Sequence, residues 1–389
     1  MSTLAASTGH VPASRIRELA NTALGMEGVL RLYFGESSLS TPDYIKAAVG
    51  KALEEGYTFY TENAGLPGLR EELARMYERL HGITLDWQRE IMVTASGVQA
   101  LNVGIRCIID PGDEALVLAP TWPNAAAIIR MFHGTPIDIP LRFTGSRYRV
   151  DFEALEAAVT SHTRLLVFTS PSNPLGWVAS PTEQAGLLEF ARRHHLWLLA
   201  DEVYERLYYA GPALGVAAPS ILTLASRDDA VLVTQSFSKT YCMTGWRLGW
   251  LVSRRDLIAR ATTLNEFIVS HAPSFIQRAA QTALADGEAE IRTMLVRLRD
   301  NRDFCLAALR RLPRVTVPEP DGAFYLFPRI EGLTDSFTFC VRLLQEGKVG
   351  LAPGVAFGAG GEGSVRLCYA AERPILEQAM ERLGQFLVG

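Results

Sequence analysis

Short apolar runs recur along this chain, and nearly every one is followed by a polar or Gly/Pro turn and then a longer stretch with helical spacing. IMVT (91–94) leads into ASGVQALNVGIRCII, and ALVLA (115–119) into PTWPNAAAIIRMF. RLLVFTS (164–170) leads through PSNPLG to a helical pattern from Pro181 to about His194. LWLLA (196–200) leads into DEVYERL, and VLVTQ (231–235) into SFSKTY. Runs that are apolar without alternation suit strands covered on both faces, and helices between them supply the crossovers of a parallel sheet. The next run, WRLGWLVS (246–253), follows too closely for a helical crossover and is expected to run antiparallel. The pattern predicts an α/β domain with a mixed, mostly parallel sheet of about seven strands between helices.

Near residue 285 the texture changes. An arginine-rich helical segment (288–311) leads to GAFYLF (322–327), a further helix, and SVRLCY (364–369). This reads as a smaller α+β domain. Residues 1–44 are too few to fold alone and are expected to pack with it. The expected division is a large domain at 45–284 and a small domain made of 1–44 and 285–389.

Composition narrows the function. A chain of 389 residues with 48% apolar content has enough material for two cored domains. The net charge is −4, and no basic block stands out, so neither nucleic acid nor an anionic membrane is an expected partner. Five cysteines are scattered without CxxC spacing, which suits free thiols in a reducing compartment and gives no metal site. The N-terminus lacks a charged head followed by an apolar core, and no apolar run approaches a membrane-spanning length. A cytoplasmic location is expected.

Ligands of open α/β sheets bind beyond the carboxyl ends of the strands. Those ends carry, in order, Ser96-Gly97-Val98-Gln99, then Trp122, Asn173, Asp201 with Tyr204, and Ser236, Ser238 and Lys239. Singly, each also fits an ordinary role: Ser96 and Asp201 as helix caps, Asn173 as a turn residue, Trp122 as packing. Arg247, near the start of its strand, fits an exposed edge position. Arg366 alternates with Val365 and Leu367 and so faces away from them, toward solvent or a ligand.

Pyridoxal 5'-phosphate chemistry needs the whole set. The aldehyde needs one lysine, and Lys239 is one of only four lysines (Lys46, Lys51, Lys239, Lys348) among 38 cationic residues. Arginine cannot replace it, because it forms no imine and does not release its proton near neutral pH. Asp201 would keep the ring nitrogen protonated, and Trp122 would cover the ring face. Asn173 and Tyr204 would serve the phenolic oxygen. Gly97, Val98, Gln99, Ser236, Ser238 and Arg247 would serve the phosphate.

With these residues placed, the sequence resembles the class I/II aminotransferases of the fold-type I pyridoxal-phosphate superfamily. SFSKTYCMTGWRLGW is similar to the family's lysine-to-arginine signature, SPSNPLG to its Asn-Pro-x-Gly turn, and ADEVYERL to its aspartate-and-tyrosine strand end. YTENAGLPGLREELA (60–74), FGESSLSTPDYI (34–45), LAPGVAFG and SVRLCYA extend the resemblance from about residue 15 to the C-terminus. It implies catalytic roles for Lys239, Asp201 and Tyr204, and a homodimer in which Tyr60 reaches the phosphate of the neighbouring subunit. It also implies a substrate site of Gly35, Trp122, Asn173 and Arg366, with Arg366 on the carboxylate. The implied reaction moves an amino group from an L-amino acid to a 2-oxo acid by a ping-pong route through pyridoxamine phosphate. Aspartate-type, aromatic and neutral donors all remain open. A C–S β-lyase on the same scaffold is the alternative.

Overall fold

The computed structural model describes residue 9 and residues 11–388. The remainder of the N-terminal reading, on residues 1–8 and 10, lies outside the described residues. Seven strands form the main sheet: β1 (Ile91–Thr94), β2 (Glu114–Ala119), β3 (Thr135–Pro140), β4 (Thr163–Thr169), β5 (Trp197–Asp201), β6 (Val231–Ser236) and β7 (Gly249–Ser253). Their spatial order is β1-β7-β6-β5-β4-β2-β3. All neighbours are parallel except β7, which is antiparallel to both β1 and β6. Between β6 and β7 the chain makes only the short helix Phe237–Thr240 and a 3-10 turn, so it has no crossover and must return in the opposite direction.

The pleat sends alternate residues of each strand into two different cores. Ile91, Val93, Leu166, Phe168, Leu198, Val233 and Trp250 pack on one face. Met92, Leu165, Val167, Leu199, Leu232 and Leu251 pack on the other. That is why the strands read as unbroken apolar runs: neither face meets water. The edge strand β3 breaks this rule. Its sequence, TPIDIP, carries two prolines and is half exposed, which only an edge position tolerates. It was hidden among the apolar runs for that reason.

Two helices show their local end signals plainly. Ser180 and Glu183 form a reciprocal capping box before Pro181–Arg193. The helix Pro67–His81 begins on proline and ends on Gly82 in the left-handed conformation.

Beyond the long helix Glu288–Leu309, the strands Tyr325–Leu326, Val365–Cys368 and Ala352–Pro353 form a small antiparallel sheet. The N-terminal segment joins this region. Leu30–Arg31 pairs in parallel with Val349–Gly350, and the helix Arg15–Thr22 packs on Ser336–Glu346. No helix of the described residues is long and apolar enough to cross a membrane.

Candidate active site

One cavity of about 890 Å³ opens at the carboxyl ends of the parallel strands, roofed by the N-terminal segment and by the small antiparallel sheet. Its walls hold Gly35, Gly97, Val98, Trp122, Asn173, Asp201, Tyr204, Ser236, Ser238, Lys239, Arg247 and Arg366, drawn from almost the whole length of the chain. Gln99 departs from its expected place, and Tyr60, expected at a neighbouring subunit's site, is not part of this cavity. The Gln99 side chain turns away to donate to Asn265 Oδ1 at 3.2 Å, and its backbone N–H is taken by the cap oxygen of Ser96. Tyr60 points out of the protomer, 91% exposed, with its ring edge-on to His271.

Asp201 is the last residue of β5, and turns rather than a helix follow it, so it is not a cap. Among the described residues its Oδ1 accepts only the Val203 N–H, at 3.3 Å. Burial pushes the carboxyl up to about 6, against the pull of that N–H and of Lys239.

Lys239 sits in the one-turn helix after β6. Its enclosed amine is pushed down to about 8, chiefly by desolvation, with Arg366 and Arg247 adding to the effect while Cys368 and Glu36 oppose it. The amine donates to the Gly35 carbonyl at 2.6 Å and lies 5.7 Å from the centre of the Tyr204 ring.

Arg366 departs from the solvent-facing position that its alternation also allowed. It is fully buried, because both faces of its short strand are covered. The guanidinium donates to Asn173 Oδ1 at 2.8 Å and to the Tyr33 carbonyl at 2.5 Å. Its Nε has no partner, and among the described residues its side-chain partners are Asn173 and Tyr33, neither of them acidic. Tyr325, Phe357 and Trp122 surround it with ring centres at 4.5, 5.0 and 5.8 Å. A buried cation with a vacant donor is costly unless an anion completes it.

At the other end of the cavity, Ser236 and Ser238 share a hydroxyl contact of 2.8 Å. The helix Gly97–Arg106 begins beside them, and its first residues, Gly97 and Val98, line the cavity. Arg247 does not begin the strand as the run WRLGWLVS suggested. It precedes β7 in the left-handed conformation, its Nη1 fixed by the Thr244 carbonyl at 2.7 Å. This corner is tight: a Cβ on Gly249 would lie 2.6 Å from the Gln235 carbonyl and against the Gly97 backbone. Hydroxyls, helix N-terminal N–H groups and a guanidinium together make an anion cup.

Tyr325 is a wall residue that the sequence reading did not single out. It lay in GAFYLF, legible only as a strand. Its hydroxyl meets that of Tyr204 at 2.7 Å.

Residues 28–383 match the family described as aminotransferase class I and II. The chain belongs to that family.

This aminotransferase is 32% identical to an aspartate aminotransferase of Pyrococcus horikoshii, covering 97% of this chain and 96% of that one. It is 34% identical to an aromatic-amino-acid aminotransferase of Thermococcus litoralis, with the same coverage. The solved structure of a Thermus thermophilus aspartate aminotransferase variant superimposes with a TM-score of 0.92 at 30% identity over 100% of both chains. The seven-stranded mixed sheet is thus the fold-type I arrangement, and the protein is a transaminase of amino acid metabolism.

Proposed function

We propose that this aminotransferase uses pyridoxal 5'-phosphate, held by Lys239, and exchanges amino groups between L-amino acids and 2-oxo acids in two half-reactions at one site. The donor set fits the cofactor at each end. The anion cup of Gly97, Val98, Ser236, Ser238 and Arg247 suits its phosphate. Asp201, a buried carboxylate with no cation in contact among the described residues, suits a protonated ring nitrogen, whose charge would bring the carboxyl back down. Trp122 stands where a ring face needs cover. The Asn173 amide N–H₂, unengaged among the described residues, and the Tyr204 hydroxyl suit the phenolic oxygen.

When bound, the cofactor supplies an aldehyde that condenses with amines and a ring that takes up the electron pair released at the substrate α-carbon. The chain supplies the rest. Arg366 grips the substrate carboxylate as a fork, with Asn173 holding one arm and Gly35 closing the wall. That grip turns the α-hydrogen toward Lys239. Lys239 Nζ then takes the α-proton; an amine near pKa 8 is partly neutral at physiological pH, as a base must be. The single observation that carries this reading is Arg366: buried, vacant at Nε, and in one cavity with Lys239 and Asp201.

The reading includes a homodimer. Phe59, Tyr60, Phe267, Ile268 and Val269 form an exposed apolar group on two segments that are tied together, since Ser274 Oγ donates to the Tyr57 carbonyl at 2.7 Å. Exposed apolar surface of this kind favours a second copy. In that dimer Tyr60 completes the neighbour's phosphate cup.

The test is the near-UV and visible spectrum of the protein during titration with L-amino acids one at a time. A cofactor band that one amino acid bleaches supports the reading and names the donor. Absence of any band after adding pyridoxal phosphate overturns the role of Lys239.

A further inference from the structure

We infer that Tyr325 is a positioning residue that fixes the direction in which Tyr204 presents its hydroxyl proton, and through it the strength of the bond Tyr204 makes to the cofactor. This inference rests on the cofactor reading above. Tyr325 is completely buried on the short strand that pairs with Val365–Cys368. In that register Tyr325 faces Cys368, so Arg366, two residues along, shares its side of the sheet. The Tyr325 ring therefore lies against the Arg366 guanidinium, 4.5 Å from ring centre to Cζ, and edge-on to Tyr204.

The argument is a count of protons. Each phenol carries one, and the two hydroxyl oxygens are 2.7 Å apart. If Tyr204 donates into the cavity, its oxygen must accept from Tyr325. If it donates to Tyr325 instead, nothing is left for the cavity. Tyr325 makes no other side-chain hydrogen bond among the described residues, so donation to Tyr204 is the arrangement that uses both protons once Tyr204 donates into the cavity. Burial raises both phenols above their ordinary range, so both stay protonated and act as donors. The charged and titratable groups facing the pair are Asp201 on β5, Lys239 after β6, and Arg366 and Cys368 on the neighbouring short strand. A phenol that accepts a hydrogen bond is a better donor. Tyr325 thus strengthens the hydrogen bond from Tyr204 to the cofactor's phenolic oxygen.

The readout is the pH midpoint of the visible absorption change of the cofactor-loaded protein. A stronger donor at the phenolic oxygen draws off its charge, and the proton shared with the Lys239 nitrogen leaves at lower pH. Tyr325→Phe keeps the ring and removes the donor. It is expected to move the midpoint upward by roughly a few tenths of a unit. In a Tyr204→Phe background the same change is expected to move it no further, because Tyr325 acts through Tyr204. The double variant removes both hydroxyls together and leaves neither phenol unpartnered, so it also guards against a simple folding defect.

A midpoint unchanged in Tyr325→Phe, or moved equally with and without Tyr204, overturns the inference about Tyr325 alone. A wild-type protein with no pH-dependent band after adding pyridoxal phosphate overturns the cofactor reading, and this inference with it.

Discussion

The amine of Lys239 donates to the carbonyl of Gly35 at 2.6 Å, across 204 residues of sequence. The contact joins the strand-end lysine to the N-terminal segment, and Gly35 is itself pressed against the Tyr325 hydroxyl, where no Cβ fits. Lys239 is therefore tied to the N-terminal segment as well as to its own helix turn.

On the reading that Lys239 holds the cofactor and moves the proton, Lys239→Arg preserves the charge and is expected to lose both functions. Loss of the proton transfer alone is expected to slow turnover by roughly 10²- to 10⁴-fold. Borohydride treatment followed by peptide mass spectrometry should find the reduced cofactor adduct on Lys239 in the wild type and nowhere in the variant.

The desolvated amine also predicts a pH dependence. Its pKa is lowered to about 8, so the neutral, reactive form predominates above that value rather than above the ordinary lysine range. Cofactor-free protein should react with pyridoxal, which lacks the phosphate, at a rate that climbs through about pH 8 and then levels. A rate still rising toward pH 10 would place Lys239 in a wetter setting.

Arg366→Lys should raise KM for amino and oxo acids alike. Lysine cannot span Asn173, the Tyr33 carbonyl and a carboxylate as a fork does. Loss of one charged hydrogen bond is worth about 1.5–3 kcal/mol, or about 10- to 150-fold. Steady-state kinetics with both substrate types checks it; a change confined to kcat would contradict the carboxylate role.

If Tyr60 completes the neighbour's site, subunit mixing should reveal it. Tyr60→Ala and Lys239→Ala dimers are each expected to be nearly inactive. Dissociated and reassociated together, they form hybrids with one intact site, containing Lys239 from one protomer and Tyr60 from the other. Recovery of activity on mixing is the expected outcome, and no recovery in verified hybrids would place Tyr60 outside the site.

Glu202 lies next to Asp201 but faces the opposite way, accepting from Ser220 Oγ at 2.8 Å and from the Ile221 N–H at 2.9 Å. Burial first, then the nearby Glu205, pushes its carboxyl up to about 8 from 4.5. A proton held more tightly in the folded state stabilises fully below the unfolded pKa, and the benefit is lost as pH rises through the folded one. Stability should fall between pH 4.5 and about 8 on this account, and Glu202→Gln should flatten the fall. Urea unfolding at about pH 6 and about pH 8.5 compares the two proteins. Equal slopes would mean that Glu202 is ionised in the folded state.

The sequence by itself determined the strand runs and their parallel arrangement, because a strand buried on both faces must be apolar at every position. It also determined that β7 turns back, since only the ten residues 236–245 separate the two apolar runs, too few for a helical crossover. The strand-end residues were legible together, because a parallel sheet gathers its carboxyl ends on one side. Local patterns could not tell where a side chain finishes. Arg366 alternates like a solvent-facing residue, and only the packing of Trp122, Tyr325 and Phe357 around it makes it a buried, vacant cation. The same limit applies to Gln99, which looks like part of the anion cup until Asn265 draws its side chain away. Tyr325 owes its part to a hydroxyl meeting across 121 residues, and β3 owes its place to a sheet edge that tolerates prolines. These are long-range contacts, set by how the chain closes on itself rather than by the spacing of neighbouring residues.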